Sequence, residues 1–259
     1  MKSGLPGFEY ALNPYLGCSH ACIYCYAPSI LRYKGNEEEA WGDFVGVKRN
    51  LPRVLSKELR GGKIDGVIGI GTVTDPYQPA EKSYEVTRNC LNVLLEKDLK
   101  INIMTKSSLV LRDLDLLNKF SKCEVGFSMS SIDDRVREMY EPGSMPFDEK
   151  LKAIRVLREN GIMTWVFLAP IMPYITDKDE DLEMLISEIS PYVDLIMVDR
   201  LRLKGTIWED IRSFLQEYDP RLIEVYYDIL YHKTDYFKDA GTKIVDLCRK
   251  NNIKYDILF

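Results

Sequence analysis

Apolar and polar positions along the chain follow two periods. Short runs, alternating or nearly continuous in apolar residues, are separated by longer segments with apolar residues three and four apart. That is the pattern of a parallel sheet with crossover helices. Strands are expected at Phe8–Leu12, Gly66–Thr72, Ile101–Thr105, Cys123–Ser130, Met163–Ala169 and Asp194–Val198. In the fourth, Cys123, Val125, Phe127 and Met129 share one face, while Gly126, Ser128 and Ser130 share the other. The first helix, Arg49–Arg60, carries Leu51, Val54, Leu55 and Leu59 on one stripe. The next two carry Val86, Cys90, Val93 and Leu94, then Leu111, Leu114 and Leu117. A further helix starts near Phe147, with Pro146 before it and Asn160-Gly161 as its stop. Another packs Leu182, Leu185, Ile186 and Ile189, with Asp177 and Glu180 at capping-box spacing. From roughly Gly205 to Phe259 the chain reads mostly helical, and Tyr226-Tyr227 through Tyr231 lacks a strand signal.

Six β/α units fit an open, partial (β/α)6 barrel of TIM type better than a closed eightfold one; a doubly wound sheet satisfies the same pattern. In a barrel, functional residues gather at the C-terminal ends of the strands. The expected division is a barrel over 1–204 and a helical extension over 205–259 packed on it. Composition adds a globular class: 46% of the 259 residues are hydrophobic and 29% charged. Charge narrows the partners. With 35 basic against 40 acidic residues, the net charge is −5, so nucleic acid would need a local basic patch. The longest nearly uncharged apolar run, Ile162–Ile175, covers 14 residues and includes Pro170 and Pro173, too short and broken to cross a bilayer. Met1–Pro6 lacks the apolar stretch of a secretory signal. The expected setting is therefore the reducing cytoplasm, without a membrane partner, where six cysteines argue poorly for disulfides.

Three of those cysteines, Cys18, Cys22 and Cys25, fall within eight residues just after the first strand. A C-x3-C-x2-C loop can grip three irons of a cubane cluster, leaving one iron open when no fourth cysteine joins. A structural zinc site would instead close its tetrahedron with a fourth ligand, and His20 lies in the loop. Cys90, Cys123 and Cys248 all sit on apolar stripes or faces and read as core residues. His232, the other histidine, reads as structural, which argues against a histidine-based hydrolase.

With Tyr24 just before its last cysteine, the loop resembles the signature of the radical S-adenosylmethionine (SAM) superfamily. Further segments match in order: Cys22-Ile23-Tyr24-Cys25-Tyr26, Gly71-Thr72-Val73-Thr74-Asp75-Pro76-Tyr77-Gln78-Pro79, Thr105-Lys106-Ser107, Gly126-Phe127-Ser128, Glu141-Pro142-Gly143-Ser144 and Leu168-Ala169-Pro170-Ile171. Together, over about residues 8–175, they resemble the spore-photoproduct-lyase-like branch, often labelled "DNA repair photolyase" proteins. The resemblance implies a radical SAM enzyme on a partial-barrel core, with Cys18, Cys22 and Cys25 holding a [4Fe–4S] cluster. It implies that SAM is cleaved reductively to a 5′-deoxyadenosyl radical, with the electron drawn from a donor such as flavodoxin or ferredoxin. By the same resemblance Tyr24 sits near the adenine and Tyr26 faces substrate. Thr74 and Asp75 meet the SAM amino group, Lys106 its carboxylate, Ser128 the ribose, and Ala169 lines the adenine pocket. The namesake enzyme carries a hydrogen-donating cysteine on strand two, and that position is Thr72 here, so lysis of a thymine lesion is not implied.

Partner signals are weaker. Arg49, Arg53, Lys57 and Arg60, with Lys48 and Lys63, form a basic stripe that reads first as a solvated helix face. Arg200, Arg202 and Lys204 follow strand six and suit an anionic substrate equally well as an ordinary loop. Tyr226, Tyr227, Tyr231 and Tyr236 read as a cover for the barrel rather than a base-stacking platform. The expectation is hydrogen abstraction from an unidentified substrate, a nucleic-acid lesion among the candidates. The rival is a non-catalytic zinc- or iron–sulfur-bearing nucleic-acid-binding module.

Overall fold

The computed structural model describes residues 2–3, 7–31, 40–61, 65–203, 207–232 and 234–259. In chain order the elements are β1 (Tyr10–Leu12), β2 (Tyr15–Leu16), α1 (Ala27–Leu31), β3 (Gly46–Val47), α2 (Leu51–Arg60), β4 (Val67–Ile70), α3 (Glu81–Tyr84), α4 (Val86–Leu95), β5 (Lys100–Thr105), α5 (Leu114–Leu117) and β6 (Cys123–Met129). There follow α6 (Asp134–Tyr140), α7 (Phe147–Glu159), β7 (Met163–Ile171), α8 (Asp179–Ile189), β8 (Leu195–Arg200), α9 (Ile207–Tyr218), α10 (Leu222–Tyr231), α11 (Tyr236–Lys250) and β9 (Tyr255–Ile257). The helix expected around Leu111–Leu117 is split, its first part, Ser108–Asp113, winding as a 3₁₀ turn.

Seven strands form one parallel sheet in the order β1-β4-β5-β6-β7-β8-β9. Six are the expected strands. The seventh, β9, pairs with β8 at Ile196↔Tyr255 through Val198↔Ile257 and lies in the stretch read as helical. Tyr-Asp-Ile is too short for an alternation signal, so tertiary pairing alone defines it. Asp177 and Glu180 do not form a capping box: Lys178 occupies the N-cap of α8 without a side-chain bond, and Asp177 instead accepts from the Tyr236 hydroxyl at 2.7 Å.

The alternation in β6 sorts the two faces of the sheet. Cys123, Val125, Phe127 and Met129 enter the main core with Ile68, Ile101, Val166 and Ile196, covered by Leu55, Leu91, Leu94, Ile154, Ile186 and Ile244 from the helices. On the other face, Gly126 makes room for an aromatic ring: a Cβ there would lie 2.2 Å from the Trp165 indole. A second apolar cluster joins Met172, Ile175, Leu201, Ile211, Phe214 and Tyr226, with Ile23, Tyr24 and Tyr26 packed against it. It brings α9 and α10 to the C-terminal ends of the strands, beside the cysteine loop. α11 packs on α8 and β9, and its Ile244 and Cys248 belong to the main core.

Candidate active site

The cysteine loop runs from Gly17 to Tyr26, between β2 and α1, and it is anchored from two sides. From the segment after β4, Thr74 Oγ1 donates to the Gly17 carbonyl at 2.6 Å. Gln78, fully buried, donates to Thr74 Oγ1 at 2.9 Å and to the Gly17 carbonyl at 3.3 Å. Its Oε1 accepts from the Ser19 amide at 2.9 Å. From the segment after β6, the Tyr140 carbonyl takes the Ile23 amide at 3.1 Å, and Gly143 N–H donates to the His20 carbonyl at 3.1 Å. A Cβ at Gly143 would lie 2.2 Å from the Ser19 carbonyl oxygen, so the two backbones meet only because this residue is glycine.

His20 is buried and faces an oxygen on each side. Nδ1 lies 2.5 Å from the Gly143 carbonyl, and Nε2 approaches Asp75 Oδ2 at 3.0 Å as an ion-pair contact. Asp75 itself accepts three hydrogen bonds. Oδ1 accepts from the Tyr77 amide at 2.8 Å and from Thr105 Oγ1 at 2.7 Å, while Oδ2 accepts from the Lys106 amide at 2.7 Å. Burial pushes its carboxyl up, but His20 and these donors outweigh burial and hold it below the usual value.

Beside the loop lies a buried charge cluster. Glu141 has no solvent exposure. It accepts from the Tyr24 hydroxyl and from Ser130 Oγ at 2.9 Å, with the Lys106 and Lys150 ammonium groups each 3.8 Å away. Burial alone would raise the Glu141 carboxyl, yet the two lysines bring it down to about 2. Burial likewise opposes the charge on Lys106, but Glu141 and the neighbouring Cys22 and Asp75 raise it to about 12. For Lys150 burial wins, and its value falls to about 8 despite Glu141. Lys106 Nζ donates to Ser128 Oγ at 2.6 Å and lies 5.8 Å from the centre of the Tyr24 ring. Burial pushes the Cys18 thiol up to about 12 and raises Cys22 and Cys25 as well, with Lys106 pulling the latter two back. As free thiols all three stay protonated; a metal must displace those protons.

Tyr24, Lys106 and Ser128 are thus brought together with Cys22 and Cys25. Tyr26 turns its hydroxyl to the Thr72 carbonyl. Ala169, buried, is near the C-terminal end of β7. Thr74 and Asp75 also lie at the site, where their side chains bond to protein groups. His20 has Nδ1 on the Gly143 carbonyl and Nε2 beside Asp75, and among the described residues no three His, Cys, Asp or Glu side chains, the loop cysteines included, are gathered closely enough to hold a single metal ion. Cys90, Cys123 and Cys248 lie in the main core.

Residues 12–186 match the family model described as the radical SAM superfamily. The chain belongs to that superfamily. An uncharacterised protein of Methanocaldococcus jannaschii is 33% identical over 249 residues, 96% of this chain and 89% of its own. The radical SAM Nα-GlyT isomerase of Pseudomonas phage M6 is 26% identical over 179 residues, 68% of this chain and 36% of its own. Among solved structures, a spore photoproduct lyase mutant with bound AdoMet and dinucleoside spore photoproduct superimposes with a TM-score of 0.75 at 17% identity, covering 100% of this chain and 78% of that one. The fold is therefore the radical SAM partial barrel, and the protein is a radical SAM enzyme. Membership implies SAM and an iron–sulfur cluster as cofactors. The residues present fit both groups: three thiols on one anchored loop, and a buried cation, Lys106, beside them.

Gln78, Glu141 and Lys150 complete the site of this radical SAM protein, and none was singled out from the sequence. A signal existed for Gln78 and Glu141, which lie in the matching segments Gly71–Pro79 and Glu141-Pro142-Gly143-Ser144; Lys150 looks like any surface lysine until its helix is packed. The other basic candidates are partly engaged elsewhere. Arg202 chelates Asp199 and donates to the Leu258 carbonyl, Arg200 lies over the Phe237 ring, and Arg49 over Tyr84. Lys48 donates to the Asn13 carbonyl at 2.8 Å, while Lys63 and Lys204 lie outside the described residues. Tyr226 is buried, whereas Tyr227 and Tyr231 are exposed beside Trp208. No helix among the described residues is long and apolar enough to cross a membrane.

Proposed function

We propose that this radical SAM enzyme abstracts hydrogen from a nucleobase-bearing substrate, using a [4Fe–4S] cluster held by Cys18, Cys22 and Cys25. Those three residues would hold the cluster, which when bound would supply the electron, drawn from a donor such as flavodoxin or ferredoxin, for reductive cleavage of SAM to a 5′-deoxyadenosyl radical. Everything else falls to the protein. Lys106, held charged by Glu141, binds the SAM carboxylate as a point charge. Ser128, already on Lys106 Nζ, takes the ribose, and Tyr24 and Ala169 border the adenine. Tyr26 faces the substrate side. Helices α9 and α10, from the segment after residue 204, cover the mouth and keep water away from it.

The observation that carries this reading is the family match together with the placement of Lys106 among the cysteine thiols. The substrate class draws its support from the likeness to a spore photoproduct lyase with a bound dinucleoside spore photoproduct. Thr72, just after β4, has no S–H to give, so the product radical is quenched otherwise than by a thiol at that position. The test is anaerobic: reconstitute with iron and sulfide, add SAM and dithionite, and quantify 5′-deoxyadenosine. Release by the wild type and none by Cys22→Ala is expected. A fully loaded wild type that releases none, with or without oligonucleotide, would sink the proposal.

A further inference from the structure

Asp75 lies in the segment between β4 and α3, where an acidic side chain suggests a partner for the SAM ammonium. Its geometry argues for another duty. Three hydrogen bonds converge on its two oxygens, from the Tyr77 amide at 2.8 Å, Thr105 Oγ1 at 2.7 Å and the Lys106 amide at 2.7 Å, and His20 Nε2 lies 3.0 Å from Oδ2 as an ion-pair contact. A carboxylate offers about four lone-pair positions, so little acceptor capacity is left for a ligand. The side chain is also 6% exposed, and its His20 partner 3%. Thr74 is in the same state, its hydroxyl donating to the Gly17 carbonyl and accepting from Gln78.

The partners of these side chains share one destination. Thr74 and Gln78 hold the Gly17 carbonyl, Gln78 holds the Ser19 amide, and Asp75 holds the His20 ring. Through its other nitrogen His20 reaches the Gly143 carbonyl. The stretch that carries Cys18 and leads to Cys22 is therefore tied at three successive points to the ends of the strands. The same Asp75 carboxylate fixes the backbone of Lys106. One buried group thus sets both the cysteine loop and the start of the lysine side chain. In small metal sites with no preformed frame, the loop folds only as the metal binds; here the frame consists of protein groups.

We propose that Asp75, with His20 and Gln78, is a set of positioning residues that holds the cysteine loop in its cluster-binding shape before any iron arrives, and that Asp75 does not bind the SAM ammonium. This rests on the reading of the loop as the cluster site, but one arm of the test does not. In iron-free protein, hydrogen exchange across residues 17–23 is slow in the wild type. It becomes at least tenfold faster in Asp75→Asn, His20→Ala and Gln78→Ala, with exchange in β6 and β7 unchanged as the check on folding.

In reconstituted protein, the three variants lose iron to a chelator several times faster than the wild type. The fraction of Asp75→Asn that retains its cluster binds SAM, followed by the change in the cluster's EPR signal, within about twofold of wild-type affinity. The Asp75→Asn/His20→Ala double variant is no more labile than either single one, because both remove the same bridge. His20→Gln, which keeps a side-chain donor toward Asp75, recovers part of the loss. Asp75→Asn with normal iron retention and SAM binding weakened tenfold or more would make Asp75 a SAM ligand and overturn the proposal. Equally fast exchange across 17–23 in wild type and variants would overturn it too. A wild type that takes up no cluster would instead refute the cluster reading, and the exchange arm would still decide whether the loop is preset.

Discussion

Replacing Glu141 by glutamine removes one charge from a fully buried cluster while changing its shape very little. The amide oxygen still accepts from the Tyr24 and Ser130 hydroxyls, so the substitution isolates the loss of charge opposite Lys106 and Lys150. At 3.8 Å and an effective dielectric near 20, each lysine–carboxylate pair is worth about 4 kcal/mol before desolvation. The depression of the carboxyl from 4.5 to about 2 corresponds to a preference of about 3 kcal/mol for the ionised form. Breaking a buried pair from one side costs roughly 3–5 kcal/mol. The three figures agree on a loss of about 3 kcal/mol. For a chain of this size that is a fall in Tm of roughly 6–12 °C. The measurement is thermal unfolding of the metal-free protein by circular dichroism. The sign of the pH effect follows from the depressed value: the contribution is full above the unfolded carboxyl value near 4.5 and disappears as pH falls toward 2. The gap between wild type and Glu141→Gln should therefore close on acidification from pH 6 to pH 3. A gap below about 2 °C at pH 7, or one that does not narrow in acid, would show that the cluster is not held by charge.

Gly143→Ala drives a methyl group into the Ser19 carbonyl, 2.2 Å away; it should cost roughly 1–3 kcal/mol and lower iron uptake on reconstitution. Gly161→Ala is the matching control: φ is +76° there and a Cβ would meet nothing within 4 Å, so only the backbone cost of about 1 kcal/mol appears and iron uptake stays normal. Lys150 titrates near 8 when folded against about 10.5 when unfolded, so the unfolded chain binds the extra proton between those values and stability rises with pH across that window. Chemical denaturation at pH 7.5 and 9.5 should show the wild type gaining about 2 kcal/mol on Lys150→Met; a constant difference would mean that Lys150 is charged throughout.

The six expected strands were legible because an alternating or continuous apolar run has few other uses, and the cysteine loop because its spacing has almost none. What escaped shares one cause. Gln78, Glu141 and Lys150 are polar residues whose burial is decided by distant parts of the chain, and a sequence prior sends such residues to the surface. Asp75 shows the same limit in another form. Its place after the second expected strand was readable, but whether its oxygens are free depends on Thr105, Lys106 and His20, which reach it from β5, the segment after it and the cysteine loop. β9 was lost because three residues carry no period, and only the edge of β8 makes them a strand.

The order of strands in the main sheet, β1-β4-β5-β6-β7-β8-β9, is also their order along the chain. During synthesis each new strand finds its partner already made, and none has to be inserted between two neighbours that paired earlier. The sheet can grow from one edge as the polypeptide leaves the ribosome, and the cysteine loop and the Asp75 segment beside it emerge early. The pieces that close the mouth, α9 and α10, arrive late. A nascent chain can thus shape its cysteine loop while the mouth is still uncovered, leaving time for iron and sulfide to enter.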